Sequence, residues 1–246
     1  MSKPRCRRII QTIVITDKDK LVSLTRALRI VFNDPHWQAK LIITSIVTLI
    51  SSLLTPLLIG LAGWAALLGY VVEVVYNIRA ERPHPLPGWE RNFERFLRRG
   101  AGVMVAFILY NLPNFLLACC IAFAAPSLDN RITGPTVILL ASCCLIPLLL
   151  VYNLLIWALL SLGVGRYSDH PATSVFFQFG SLFGLLRENS DVVIQYLITC
   201  FLANLLFAAV GVIPILGWLA LAGLAVPLQA VITGLFCARL LGRPRR

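Results

Sequence analysis

The residues of this chain that could do chemistry sit inside long apolar runs. Glu73 is the only formal charge between Leu41 and Ile78. A carboxylate so placed can bind a proton or cation, or it can reach the water boundary and pair with Arg79 or an arginine of the segment that follows. If it carries protons, Glu73→Gln abolishes proton-coupled flux and leaves insertion intact. Four amides, Asn111, Asn114, Asn153 and Gln229, lie in other apolar runs. At a rise of about 1.5 Å per helical residue, Asn111, Asn153 and Gln229 each lie roughly 15 to 17 Å inside their runs, one layer near the middle of a bilayer. Such a layer could be a polar site for a small solute or ion. The same amides could also be interhelical hydrogen-bond glue, each bond being worth about 0.6 to 2 kcal/mol. Without mid-bilayer carboxylates they make a poor ion or proton path, which favours glue. Gln229, Thr233 and Cys237 share one helical face, as do Gln195 and Thr199.

The remaining chemistry-bearing types point nowhere specific. Cys119-Cys120 and Cys143-Cys144 sit near the outer ends of two apolar runs and could approach each other, but neither pair has zinc or redox-motif spacing, so apolar packing is the expectation. His36, His84 and His170 are not at ligand spacing. No Gly-rich phosphate loop, nucleophile elbow or HExxH motif is present. Neither an enzyme nor a cofactor or metal is expected.

What positions these residues is a membrane. The chain has 58% hydrophobic and 13% charged residues, against about 25% charged in an ordinary soluble domain. As one helix, Leu41 to Ile78 would extend about 57 Å, nearly twice the hydrocarbon core, so it must turn back. Pro56, Gly60 and Gly63 lie where the turn is needed. The pattern predicts six spans, about 39–55, 60–80, 100–125, 136–163, 191–212 and 218–240, with Pro113 breaking the third. A basic segment, 1–38, precedes them, with a short amphipathic helix (Leu21, Leu24, Leu28, Val31) capped by Asp19 and either lying among headgroups or forming a small packed cytoplasmic helix. A basic tail, 241–246, follows. Two more interfacial helices are predicted, one before Arg99 carrying Trp89, Phe93 and Phe96, and one over Val175 to Leu186 capped by Ser174. Trp37, Trp89, Phe93 and Phe96 are the expected interfacial anchors.

Charge tests the count. The net charge is +11, yet the basic residues form no continuous face, which argues against nucleic acid. With six spans, all but one of the 22 Lys and Arg residues fall on one side, Arg131 being the exception. The positive-inside tendency then puts both termini in the cytoplasm of a cell whose inner membrane holds the chain, with anionic headgroups against its basic face. The first residues are too polar for a signal peptide. A faint echo links the halves: Pro56, Gly60 and Trp64 precede the second span as Pro214, Gly217 and Trp218 precede the sixth.

Asp34-Pro35-His36-Trp37 with Lys40, then Gly69-Tyr70, Asn77, Leu86-Pro87-Gly88-Trp89-Glu90, Phe93 and Gly100, form a pattern over about Asp34 to Asn114. It resembles a prokaryotic polytopic membrane family catalogued as domain of unknown function four thousand and thirteen. The resemblance implies a bacterial or archaeal integral membrane protein and implies no activity or role for Glu73.

These observations lead to an all-α integral membrane bundle of six transmembrane helices with amphipathic helices on its cytoplasmic face. The expected role is a non-enzymatic scaffold or accessory subunit, acting with a membrane-protein partner or as a homo-oligomer. The alternative is a small-solute transporter. The first predicts no continuous cavity, the second a water-accessible pocket reaching Asn111, Asn153 and Gln229.

Overall fold

A computed structural model describes residues 22–90, 92–124 and 133–244, with the side chains of 121–124, 133–144 and Leu216 excepted. Asp19, the expected cap, and Leu21 lie outside the described residues. Among the described residues eight α-helices follow one another: α1 Leu24–Phe32, α2 Trp37–Leu54, α3 Gly60–Arg79, α4 Phe93–Ala124, α5 Thr133–Tyr167, α6 Phe179–Glu188, α7 Ser190–Gly211 and α8 Leu216–Leu241. No strand occurs among the described residues. Six of the helices among the described residues are long and apolar enough to cross a membrane, namely α2 to α5, α7 and α8. The protein is therefore an all-α integral membrane protein.

The bundle is built around α3 and α8, the two spans that are more than half buried, while the other four expose most of their apolar surface. This is the inside-out logic of a membrane protein. Exposed leucine, isoleucine and phenylalanine on α2, α4, α5 and α7 meet lipid as readily as they would meet one another.

Close approach at the core depends on glycine. A Cβ on Gly69 would lie 1.9 Å from Phe96 O, and one on Gly100 only 1.6 Å from Ala65 O, so α3 and α4 cross with backbones in contact at these two positions. Small residues admit such crossings, and van der Waals packing then holds helices that have no hydrophobic drive to associate in lipid.

Gly60 and Gly63 also serve contact rather than the turn. Both sit inside α3, where a Cβ would strike Ser51 of α2. The turn itself is made by a short 3-10 segment, Thr55–Leu57, and by Leu58 in the left-handed region at φ 61°. The α7–α8 hairpin also turns through a residue of positive φ, Ile215 at φ 63°, but without a 3-10 segment and with a different ψ. In each hairpin a tryptophan reaches back to the end of the preceding helix: Trp64 Nε1 donates to Thr55 Oγ1 at 3.1 Å, and Trp218 Nε1 to Gly211 O at 3.1 Å. The sequence echo is thus an echo of hairpin geometry.

Three expectations are corrected. The helix before Arg99 is not a separate interfacial element, because Phe93 starts the unbroken 32-residue α4. Pro113 does not break it; helical geometry continues through Pro113, as it does through Pro147 in α5 and Pro227 in α8. The Val175 to Leu186 helix is two pieces, a 3-10 turn Thr173–Phe177 and α6, which meet at Gln178 without a side-chain cap from Ser174. Phe176 is fully buried in that first piece, against Tyr167 and a close approach at Gly163. α1, capped by Ser23 through Arg26 N, packs its Ala27 and Val31 face on α8 and α7 instead of lying apart from the bundle.

Candidate functional site

Polar groups collect in three places. The first is the end of the bundle that carries Arg79. Lys40, at the start of α2, donates to both carboxylate oxygens of Asp34 (2.8 and 2.9 Å) and to Leu86 O, pinning the loop after α3 to the first span. Trp89 follows on that loop. It is 5% exposed, stacks on Tyr70 with centroids 5.0 Å apart, meets Phe96 edge-on at 5.3 Å and donates to Thr44 Oγ1. Asn77 Nδ2 donates to Pro85 O at 3.0 Å. Trp89 and Phe96 are therefore not interfacial anchors, because the indole finds an aromatic pair and a hydroxyl inside the protein. Trp37 is half-buried against Phe32, and Phe93 stays exposed.

Beside this lies a guanidinium clamp. Arg79, 2% exposed, donates to both Asp169 carboxylate oxygens (3.0 and 2.9 Å), to Gly165 O (2.6 Å), to Ser168 Oγ (3.1 Å) and to Gly242 O (3.1 Å). One side chain at the end of α3 thus ties α5 and the end of α8 together. With Arg79 so engaged, Glu73 takes its partners from α4: its carboxylate binds Arg99 and, at 3.6 Å, Arg95. Glu73 is buried, and both its oxygens face arginine. At the surface, Glu81 accepts from Arg243 and holds that guanidinium above its ordinary proton affinity. Two buried atoms of the region have no partner among the described residues, Tyr70 Oη and Asn77 Oδ1.

The second place is the predicted amide layer, which divides. Asn114 Nδ2 donates to Asn153 Oδ1 at 2.8 Å and to Asn111 Oδ1 at 3.2 Å, linking α4 to α5. Asn153 Nδ2 donates back to Asn114 Oδ1 at 3.5 Å and to Leu149 O one turn back, and Asn111 Nδ2 donates to Phe107 O. The three amides sit on the outer face of the bundle: Asn153 is exposed, and Asn111 and Asn114 are half-buried.

Gln229 is elsewhere, and marks the third place. It lines a cavity of about 360 Å³ between α3, α4, α5, α7 and α8, with Trp64, Val103, Trp157, Asn204 and Phe207 among its walls. Toward the Arg79 end the cavity is floored by a hydroxyl chain in which Ser161 and Thr233 both meet Tyr196 (2.6 and 3.5 Å), with Tyr196 stacked on Phe236. Cys237 Sγ donates to Ser161 O below it. Of the other face predicted on the fifth span, Gln195 accepts from Arg239 and Thr199 donates to Val22 O.

Asn204 and the Arg79–Asp169 clamp were not singled out from sequence. Asn204 had a signal, an amide deep inside the fifth apolar run; the clamp had only single charges at the ends of separate elements. Cys119 and Cys120 are exposed free thiols, and the side chains of Cys143 and Cys144 fall outside the description. No group of three metal-ligating side chains occurs among the described residues.

The residues of the sequence pattern meet in one place. Asp34, Lys40, Tyr70, Asn77, Leu86 and Trp89 all act in the latch between α2, α3 and the following loop, and Gly69 and Gly100 form the crossing beside it. No curated protein and no solved structure matches the chain. A family profile, described as "Protein of unknown function (DUF4013)", matches residues 49–221. That stretch holds more than half of the 246 residues and most of the latch, and the chain belongs to this family.

Proposed function

We propose that the protein is a non-enzymatic membrane scaffold or accessory subunit that docks another membrane-spanning chain on the outer face of α4 and α5. The observation that carries this reading is the exposed amide group. Asn111, Asn114 and Asn153 lie roughly half-way along their helices, facing outward among Leu112, Phe115, Leu150 and Leu154. Polar side chains rarely face lipid, and a partner helix at that depth would cover an amide group that bonds chiefly within itself. The transporter alternative has less support, since the cavity that Gln229 lines does not take in Asn111, Asn114 or Asn153 and is lined chiefly by apolar side chains. Positive-inside charge supports an inner-membrane location with both termini cytoplasmic and the basic face toward anionic headgroups.

Cysteines placed singly at 111, 153 and 229 in a cysteine-free background separate the readings. The scaffold reading expects no reaction with a water-soluble maleimide from either side, and a photocrosslinker at position 153 joining a second membrane protein that copurifies in mild detergent. Maleimide reaction at all three positions would overturn it in favour of a solute path.

A further inference from the structure

We propose that the cavity between α3, α4, α5, α7 and α8 is a binding site for an uncharged, hydroxyl-bearing lipid, an apolar chain ending in one alcohol group. This goes beyond the docking role and does not depend on it, since none of the three amides of that group lines the cavity.

Volume and lining give the apolar part. At about 360 Å³ the cavity falls within the range of small-molecule sites, roughly 300 to 1,000 Å³. Trp64, Leu67, Leu68 and Val71 of α3 and Trp157, Leu160, Ser161 and Val164 of α5 recur at intervals of three and four, so each helix offers it one continuous face. No ionisable Asp, Glu, Lys, Arg or His lines it, and a charged group at this depth would be costly.

Hydrogen bonding gives the alcohol. Gln229 accepts through Oε1 from Cys200 Sγ at 3.7 Å, and Asn204 donates through Nδ2 to Cys200 O at 2.8 Å. The two amides are thus neighbours around one residue, and each has spent one half of its capacity. Gln229 Nε2, a donor on a half-buried side chain, and Asn204 Oδ1, an acceptor on an exposed one, have no partner among the described residues. A hydroxyl is the smallest group that satisfies both at once, accepting from the first and donating to the second.

The walls give the route. The Ser161, Tyr196 and Thr233 floor closes the cavity toward the Arg79 end. Phe107 of α4 and Trp157 of α5, 39% and 45% exposed, stand at its side between lipid and the interior. Entry from the bilayer suits an apolar ligand and no water-borne solute.

The test uses the full-length chain in phosphatidylcholine nanodiscs and two photoactivatable probes, a diazirine-bearing hexadecanol and the matching hexadecane. The hexadecanol should label peptides of α5, α7 and α8 that line the cavity, be displaced by excess plain hexadecanol, and label about fivefold more than the alkane, the worth of one to two net hydrogen bonds. Gln229→Leu, which keeps the volume and loses the donor, should bring alcohol labelling down to the alkane level. Ala225→Trp, which fills the space, should abolish both. Equal labelling by alcohol and alkane in the wild type, labelling that plain hexadecanol does not displace, or labelling confined to the outward faces of α4 and α5 would each overturn the proposal. The wild-type probe comparison decides it even where the tryptophan variant fails to fold.

Discussion

Removing either member of the Arg79–Asp169 clamp should be among the most damaging single changes in the chain. Arg79→Ala deletes five donated hydrogen bonds and leaves the Asp169 carboxylate beside two carbonyls with its counter-charge gone. Breaking a buried pair from one side costs about 3 to 5 kcal/mol, because the remaining charge is stranded. The Asp169 side chain keeps 14% of its exposure, which screens it, so the low end of that range applies. About 3 kcal/mol is roughly two decades in the unfolding constant. Asp169→Ala strands Arg79 instead, whose side chain is 1% exposed, at a similar cost. The double variant strands nothing, so it should be less damaging than the sum of the singles by about 1 to 3 kcal/mol. Dodecyl-sulfate unfolding in mixed micelles, followed by circular dichroism, measures all three. A coupling below about 0.5 kcal/mol, the limit of ordinary additivity, would refute the clamp as a charge pair.

Other sites give further tests. Tyr70→Phe removes a buried hydroxyl that has no partner while keeping the stack on Trp89, so it should be neutral or stabilise by up to about 1 kcal/mol; a loss above that in the same unfolding assay would mean the hydroxyl is bonded. Gly100→Val puts bulk where even a Cβ meets Ala65 O, and should destabilise by about 2 kcal/mol or more or prevent assembly, whereas Gly180→Ala, with open space around it, should be silent in the same detergent melt. Trp89→Phe, which loses the Thr44 bond and keeps an aromatic ring, should cost about 1 kcal/mol in thermal unfolding, and Trp89→Ala about 3 to 5; equal costs would place the energy outside the stack. Glu73→Gln should leave any flux in reconstituted vesicles unchanged, since both oxygens already serve arginines, and loss of flux would restore Glu73 as a proton ligand.

The membrane class and the number of spans were legible because apolar length has one physical meaning in water: a run such as Leu41 to Ile78 has nowhere else to go. Side-chain direction was harder. Trp89 and Phe96 have the types and spacing of anchors, and nothing local distinguishes an indole that faces headgroups from one that stacks on Tyr70 across a loop. The depth of the amides followed from helical rise, but their azimuth did not, since rotation about each axis is set by partners such as Gly69 and Gly100 rather than by the helix's own pattern. Apolar residues occupy every side of α5, α7 and α8. For the same reason Asn153 could be placed at mid-depth and not assigned to the outside, and Gln229 could not be told apart from it. Pairings between distant single charges, such as Arg79 with Asp169, needed the fold itself.

The tryptophan ties at the two hairpins have a consequence for how the polypeptide is made. Trp64 finds Thr55, and Trp218 finds Gly211, within a few residues of chain, so each hairpin can close as soon as its second helix leaves the translocation machinery. The contact between α3 and α8 has no such head start, because more than a hundred residues of chain separate the two helices. A ribosome that stops before Leu216 therefore releases a chain whose early hairpin is sound and whose central seam has no second half, and quality-control proteolysis should recognise it by that open seam.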